Sequence, residues 1–356
     1  MTESIYRDLQ QRLDKYSLGF PATESGVEIK ILKELFSEAD AEMFLALSPM
    51  LEPPDAVAER IGQPVEAVRD KLEDMARRKL LFRLRKGDTV KYGAVPFVHG
   101  LFEFHTTEMS QTLAELMEQY YQEGFKQTMV DNAENFLRTI PIQKSIDVTQ
   151  HVAAFDDACE ILKNSKKIVV TECTCRKQKH LLGKSCEKPL EVCFMFGAMG
   201  QYYIDNQMGR EITADEAIDI LKKCHEEGLV TQPATAQNPG GMCNCCGCCC
   251  GVLGSLNEHP RPAEMVFSNY FARVDQEACT GCETCMDRCQ MGAITLTADE
   301  VAHVNPDRCI GCGLCVTTCP SDAMALVPKE TDKQRTPPKT GMDQMMTMAQ
   351  KRGIQF

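Results

Sequence analysis

Two runs near the C-terminus constrain this chain more than any other feature. Cys279, Cys282, Cys285 and Cys289 follow C-x2-C-x2-C-x3-C, and Cys309, Cys312, Cys315 and Cys319 repeat the pattern at a fixed offset. The flanks repeat too. Val274 and Asp275 correspond to Val304 and Asn305, and Gly292, Ala293 and Ile294 to Asp322, Ala323 and Met324. Thiols at such spacing do not build an ordinary apolar core. Three cysteines two residues apart wrap one tight loop around a metal centre, with backbone N–H groups turned inward as in anion-binding nests. The 356 residues hold 20 cysteines in all, so twelve others need a role. The N-terminus lacks the basic head, apolar core and cleavage site of a secretory leader, and no apolar stretch is long enough to span a membrane. A cytoplasmic setting is therefore expected, with cysteines kept as metal-binding thiolates and not as disulfides. The net charge of −12 repels nucleic acid and anionic membrane in general.

The two runs resemble a bacterial two-[4Fe–4S] ferredoxin domain over residues 272 to 328, under a sixth of the chain. In that family the fourth cysteine of each run serves the other cluster. The resemblance thus implies Cys279, Cys282, Cys285 and Cys319 for one cluster, and Cys309, Cys312, Cys315 and Cys289 for the second. A pair of zinc knuckles is the competing reading, but zinc uses two C-x2-C pairs and not two runs of four. Gln290 departs from the family pattern, which has proline there; Pro320 keeps it. The departure bears on a local turn and a cluster potential, not on the ligands.

Two more cysteine sets lie upstream. Cys173, Cys175, Cys186 and Cys193 share their segment with Arg176, Lys177, Lys179, Lys184 and Lys188, against only Glu187 and Glu191. That positive charge favours thiolates or offsets an anionic cluster. Iron–sulfur, zinc and reduced structural thiols all remain open for this set. Cys243, Cys245, Cys246, Cys248, Cys249 and Cys250 crowd into eight residues, flanked by glycines. Adjacent cysteines cannot all face one metal. This loop either holds a cluster of its own or completes the Cys173 set. Cys245, Cys246, Gly247 and Cys249, Cys250, Gly251 are also similar to the CCG signature of heterodisulfide-reductase-type subunits, without that motif's partners at matching spacing. One or two accessory iron–sulfur clusters are expected. Cys159 on an apolar helix face and Cys224 at a helix end read as core or surface thiols.

The upstream chain supplies the scaffold. Ile5, Leu9 and Leu13 mark a first helix. Helices over Asp40 to Leu47, Asp55 to Ile61 and from Pro64 through Met75 then precede a hairpin, with Leu81 to Arg85 and Thr89 to Tyr92 around Lys86, Gly87 and Asp88. Three helices and a two-stranded wing resemble a winged-helix domain. Its reading helix, Val65 to Asp74, carries Glu66, Asp70, Glu73 and Asp74 against Arg69 and Lys71, which opposes phosphate contact. Arg83, Arg85 and Lys86 make the wing basic, suited to an acidic protein surface. Amphipathic helices are expected over 107 to 165, a short strand at Ile168 to Val170, a helix opened by a Thr213–Glu216 capping box, and a loop from Gln232 to Gly241. A last helix carries Met342, Met345, Met346 and Ala349. No phosphate-binding glycine loop or Ser/His/Asp arrangement is present.

The expected class is α+β and mostly helical. The divisions are a winged-helix-like domain (1–100), a helical cysteine-rich domain (101–265), a two-[4Fe–4S] ferredoxin domain (270–328), and a linker with a C-terminal helix (329–356). The expected function is electron transfer to or from a partner oxidoreductase. The whole chain resembles, loosely, multidomain ferredoxin-type proteins of anaerobic bacteria. A redox-responsive DNA-binding regulator is the alternative from a different class, and a reductase whose accessory cluster meets substrate is a third.

Overall fold

Five helices and a hairpin open the computed structural model, which describes residues 2–142, 145, 153–184 and 186–354. They are α1 (Thr2–Asp14), α2 (Val27–Leu35), α3 (Glu38–Ala46), α4 (Pro54–Ile61), α5 (Val65–Arg77), β1 (Phe82–Lys86) and β2 (Thr89–Gly93). The order is the expected one with α2 added, whose Val27, Ile31 and Leu32 are fully buried. Ser37 and Asp40 cap α3 reciprocally, each side chain bonding the other's backbone N–H. Burial opposes ionising Asp40, yet hydrogen bonds from Arg78, Lys71 and Ser37 hold its carboxyl well below the usual range. The same bonds fasten α5 to α3. Gly87, at φ 58°, opens the two-residue turn of the hairpin, and Glu52 bridges to Tyr92 beside it.

Helical chain follows as α6 (Phe102–Phe104), α7 (Gln111–Tyr120), α8 (Lys126–Phe136) and α9 (Ala158–Asn164). Residues 143, 144 and 146–152 of the expected helical stretch lie outside the described residues. Next come β3 (Ile168–Glu172), α10 (Thr174–Leu181), β4 (Glu191–Phe196), α11 (Gly197–Asp205), β5 (Arg210–Ile212), α12 (Ala214–Glu226), β6 (Val230–Pro233) and β7 (Gly241–Cys245), then α13 (Gly251–Glu258) and α14 (Pro262–Met265).

These strands correct the expectation of a helical middle region. They form one sheet in the order β5-β3-β4-β7-β6, antiparallel throughout. Of the five, only β3 was expected, at Ile168 to Val170, and its Ile168, Val169, Val170 and Thr171 are all buried. The expected loop at Gln232 to Gly241 also shrinks, because β6 runs to Pro233 and β7 begins at Gly241. Polar Thr231 sits buried in β6 because its hydroxyl donates to Asn244 at 3.0 Å, while the Asn244 amide donates to the Val192 carbonyl at 2.8 Å. The Thr213 capping box is half realised. Thr213 accepts the Glu216 N–H, but the Glu216 carboxylate turns to Arg210 at 2.6 Å.

The C-terminal segment contains β8 (Tyr270–Val274), α15 (Thr284–Arg288), β9 (Ile294–Leu296), β10 (Ala302–Val304) and β11 (Met324–Pro328), ending in α16 (Gly341–Lys351). The sequence repeat becomes a structural one: β8 pairs with β11 as β10 pairs with β9, with Val274 opposite Met324 and Val304 opposite Ile294. Helix α16 folds back on α8, where Gln344 donates to the carbonyls of Asn135 and Phe136. The protein is thus mostly helical, with small open sheets and a cysteine cluster in its middle region. Among the described residues no helix is long and apolar enough to cross a membrane.

Candidate metal centres

Each half of the C-terminal repeat begins with a loop whose glycine is indispensable. Gly281 and Gly311 both take positive φ, 65° and 69°, and a Cβ on them would run into the carbonyls of Glu300 and Tyr270. Asp275 and Asn305 receive the Cys279 and Cys309 N–H groups on their carbonyls, both at 3.1 Å. Two cavities result. One is lined by Cys279, Cys282, Cys285 and Cys319, the other by Cys309, Cys312, Cys315 and Cys289. In each, three cysteines come from one run and the fourth from the other. Backbone N–H groups aim at the sulfurs in matched fashion, Ala302 at Cys279 (3.4 Å) and Ala272 at Cys309 (3.3 Å).

Their surroundings differ. Cys282 is exposed, and a hydrogen bond with the Thr284 hydroxyl draws its thiol below the ordinary value. Burial pushes the Cys312 thiol up to about 12. Residues 142 and 145 cover that second loop: the Ile142 N–H donates to the Cys312 carbonyl at 3.1 Å, and Ser145 packs over Gly313.

The middle cysteines sort by space and not by sequence. Cys173 precedes α10 and Cys175 lies within it; Cys193 is on β4; Cys243 and Cys245 are on β7; Cys250 caps α13. Cys186 parts from its sequence neighbours and joins Cys246, Cys248 and Cys249. The four sulfurs lie within 4.8 Å of one another, the one such gathering of metal-ligand side chains among the described residues. Cys186 is 3.8 Å from Cys246 and 3.7 Å from Cys249, and Cys248 is 3.7 Å from Cys249. Tetrahedral ligands bonded at ~2.3 Å stand about 3.8 Å apart, so this spacing matches a single ion with four thiolates. Buried Arg176 donates to Cys246 at 3.3 Å. Hydrogen bonding from Cys249 and the Arg176 charge overcome burial and bring the Cys246 thiol down to about 4.

The other six thiols form a chain of contacts. Cys173 meets Cys193, Cys193 meets Cys243, Cys243 meets Cys245, Cys245 meets Cys250, and Cys250 meets Cys175. Bonds from Cys193 and Cys245 outweigh burial and lower the Cys243 thiol to about 6. Cys224 is fully buried beside them, and Cys159 packs against a separate apolar core.

Sequence reasoning passed over what joins these centres. Gln290, next to Cys289, accepts the Gly247 N–H on its side-chain oxygen at 2.8 Å, and its own carbonyl accepts from Asn257. Gly247 lies between Cys246 and Cys248. Arg288 donates to the carbonyls of Glu226 and His225, and Arg308 to those of Met291, His259 and Asn257. The departure from proline at Gln290 was the one sequence sign of this seam.

Residues 272–326 match the 4Fe-4S dicluster domain family. No curated protein matches the chain. The chain therefore combines an iron–sulfur-binding capacity with a tight four-cysteine site.

Proposed function

We propose that this chain is an iron–sulfur electron-transfer protein serving a partner oxidoreductase. Two [4Fe–4S] clusters would be held by Cys279, Cys282, Cys285, Cys319 and by Cys309, Cys312, Cys315, Cys289. The observation that carries the reading is the lining of the two cavities by three cysteines of one run and one of the other. Such clusters take up and release single electrons, and the protein's levers on their potential are the N–H groups at the sulfurs and the degree of burial.

The exposed Cys282 side would meet the redox partner, and the covered side would exchange electrons with the middle region. The inward route is short in bonds: Cys289 to Gln290, one hydrogen bond to Gly247, then Cys246 or Cys248. Cys173, Cys175, Cys193, Cys243, Cys245 and Cys250 would hold a further iron–sulfur cluster. Their chain of contacts, wider than the tight group, supports this. Cys186, Cys246, Cys248 and Cys249 would hold one tetrahedral ion, iron or zinc, and Arg176 would offset the negative charge of the four thiolates.

The division into 1–100, 101–265, 270–328 and 329–356 stays part of this reading, with the first unit winged-helix-like. The regulator alternative loses support from the wing's charges. Glu73 gathers Arg83 (2.7 Å), Arg85 (2.9 Å) and the Tyr92 hydroxyl (2.8 Å), and Arg83 also reaches Asp205. These cations are engaged within the chain, which weakens both DNA contact and the expected docking of an acidic surface on the wing. The full chain should bind duplex DNA no more tightly than the non-specific level of roughly 10⁻⁴ to 10⁻⁶ M.

Iron and acid-labile sulfide per chain, after anaerobic purification, test the proposal. Two cubes supply about eight irons, four each, and the middle thiols should raise the count. A reconstituted protein holding no more than four overturns the two-cluster reading.

A further inference from the structure

A cavity of about 310 Å³ lies beneath α16, apart from the two cavities of the C-terminal repeat. Phe104, Phe136, Tyr203, Met199, Met345 and Met348 make most of it apolar. His99 and Glu103 interrupt that lining. His99 takes a left-handed backbone (φ 57°, ψ 42°), which non-glycine residues adopt rarely and mostly where surrounding structure enforces it. Its ring packs on Phe136 at 4.1 Å between centroids and makes no hydrogen bond among the described residues. Glu103, one turn on, accepts the Gly100 N–H at 3.0 Å. Burial pushes the Glu103 carboxyl up and the His99 imidazole down, so both favour their neutral forms. A ligand with a polar edge would give the partly exposed His99 ring the hydrogen bond it lacks.

The third observation is a thiol. Cys243, within the six-cysteine group, lines the same cavity. Electrons on one wall and proton-bearing groups on another suit a molecule that takes up both. The volume lies at the small end for ligand pockets, which suits one or two rings. A flavin or nicotinamide would bring many polar atoms or phosphates that this lining does not meet. A lipid chain would leave His99 and Glu103 unmatched.

We propose that this cavity binds a one- or two-ring quinone and that the chain exchanges electrons with it. The step rests on the iron–sulfur reading of the six-cysteine group. Two electrons arrive singly from reduced iron–sulfur centres, which are oxidised. Two protons come from water by way of His99 and Glu103, and each quinone C=O becomes C–OH.

Calorimetric titration of the oxidised, iron-loaded full chain with 2,3-dimethyl-1,4-naphthoquinone, whose blocked ring does not add thiols, tests binding separately from electron transfer. One site per chain is expected, at least tenfold weaker in His99→Leu and lost in Met345→Trp, which fills the cavity from the partly exposed face of α16. Should His99→Leu not fold, Met345→Trp decides. Undiminished binding in Met345→Trp, or no saturable binding at full iron content, overturns the proposal and leaves the relay standing. An iron deficit with binding intact overturns the relay instead.

Discussion

The two halves of the C-terminal repeat share their loops, their ladder register and their N–H-to-sulfur bonds, yet one faces outward and the other inward. Cys282 is exposed, whereas Cys312 lies under residues 142 and 145. Glu283 and Gly313 occupy equivalent positions, both at positive φ (63° and 79°). Gly313 is pressed by a neighbour, Ser145, whereas Glu283 is exposed. Gln290 and Pro320 are equivalent as well; Gln290 joins the middle region, and Pro320 is exposed. Local sequence thus builds two like sites, and the contacts around them make one a surface site and the other a buried link. Burial disfavours added negative charge, so the inward cluster should have the lower potential of the two.

The sharpest way to break the comparison is to remove a shared ligand. Cys289→Ala should cost the inward site its cluster, about four irons per chain, and leave the outward EPR signal. Loss confined to the outward signal would show that each run serves its own cluster. A second expectation concerns the metal-free full chain. With the Cys312 thiol near 12 and the Cys282 thiol below its ordinary value, Cys282 should alkylate more than about tenfold faster at pH 8. The sign follows from the thiolate: Cys282 levels off as pH passes its lowered value, while Cys312 keeps rising to the top of the accessible range. Equal rates by mass spectrometry would erase the difference between the sites.

Smaller effects sharpen it further. Gly313→Ala should destabilise by about 2 kcal/mol, from left-handed strain and the collision with Ser145. Glu283→Ala, already carrying a side chain in that conformation, should stay within about 0.5 kcal/mol in chemical denaturation. Similar losses at both positions would mean the cover is unimportant. The smallest change is expected at the seam. Gln290→Ala should cost about 1 kcal/mol and, in the iron-loaded chain, slow electron transfer between the inward cluster and the iron centre proposed for the middle cysteines in stopped-flow traces. Pro320→Ala should leave both unchanged, and a slow phase in either variant alone would locate the route.

Much of this was legible beforehand because the signals are local. The spacing of Cys279 to Cys319 decides two loops regardless of what surrounds them. The helices α3, α4 and α5 and the hairpin after them follow from Pro54, Pro64, Gly87 and apolar periodicity. The five-stranded sheet was hidden: of its strands only β3 was expected, and β6 carries Thr231 and Gln232, buried polar residues of which Thr231 is bonded by Asn244 and His225. Cys186 could not be assigned to Cys246, Cys248 and Cys249 either, because sulfurs sixty residues apart in the chain meet only after β4 and β7 pair. Spacing along the chain determined which loops bind. Packing between distant segments decided which thiols stand together, which site is covered, and which polar groups face a shared cavity, since those depend on contacts that no stretch of sequence contains.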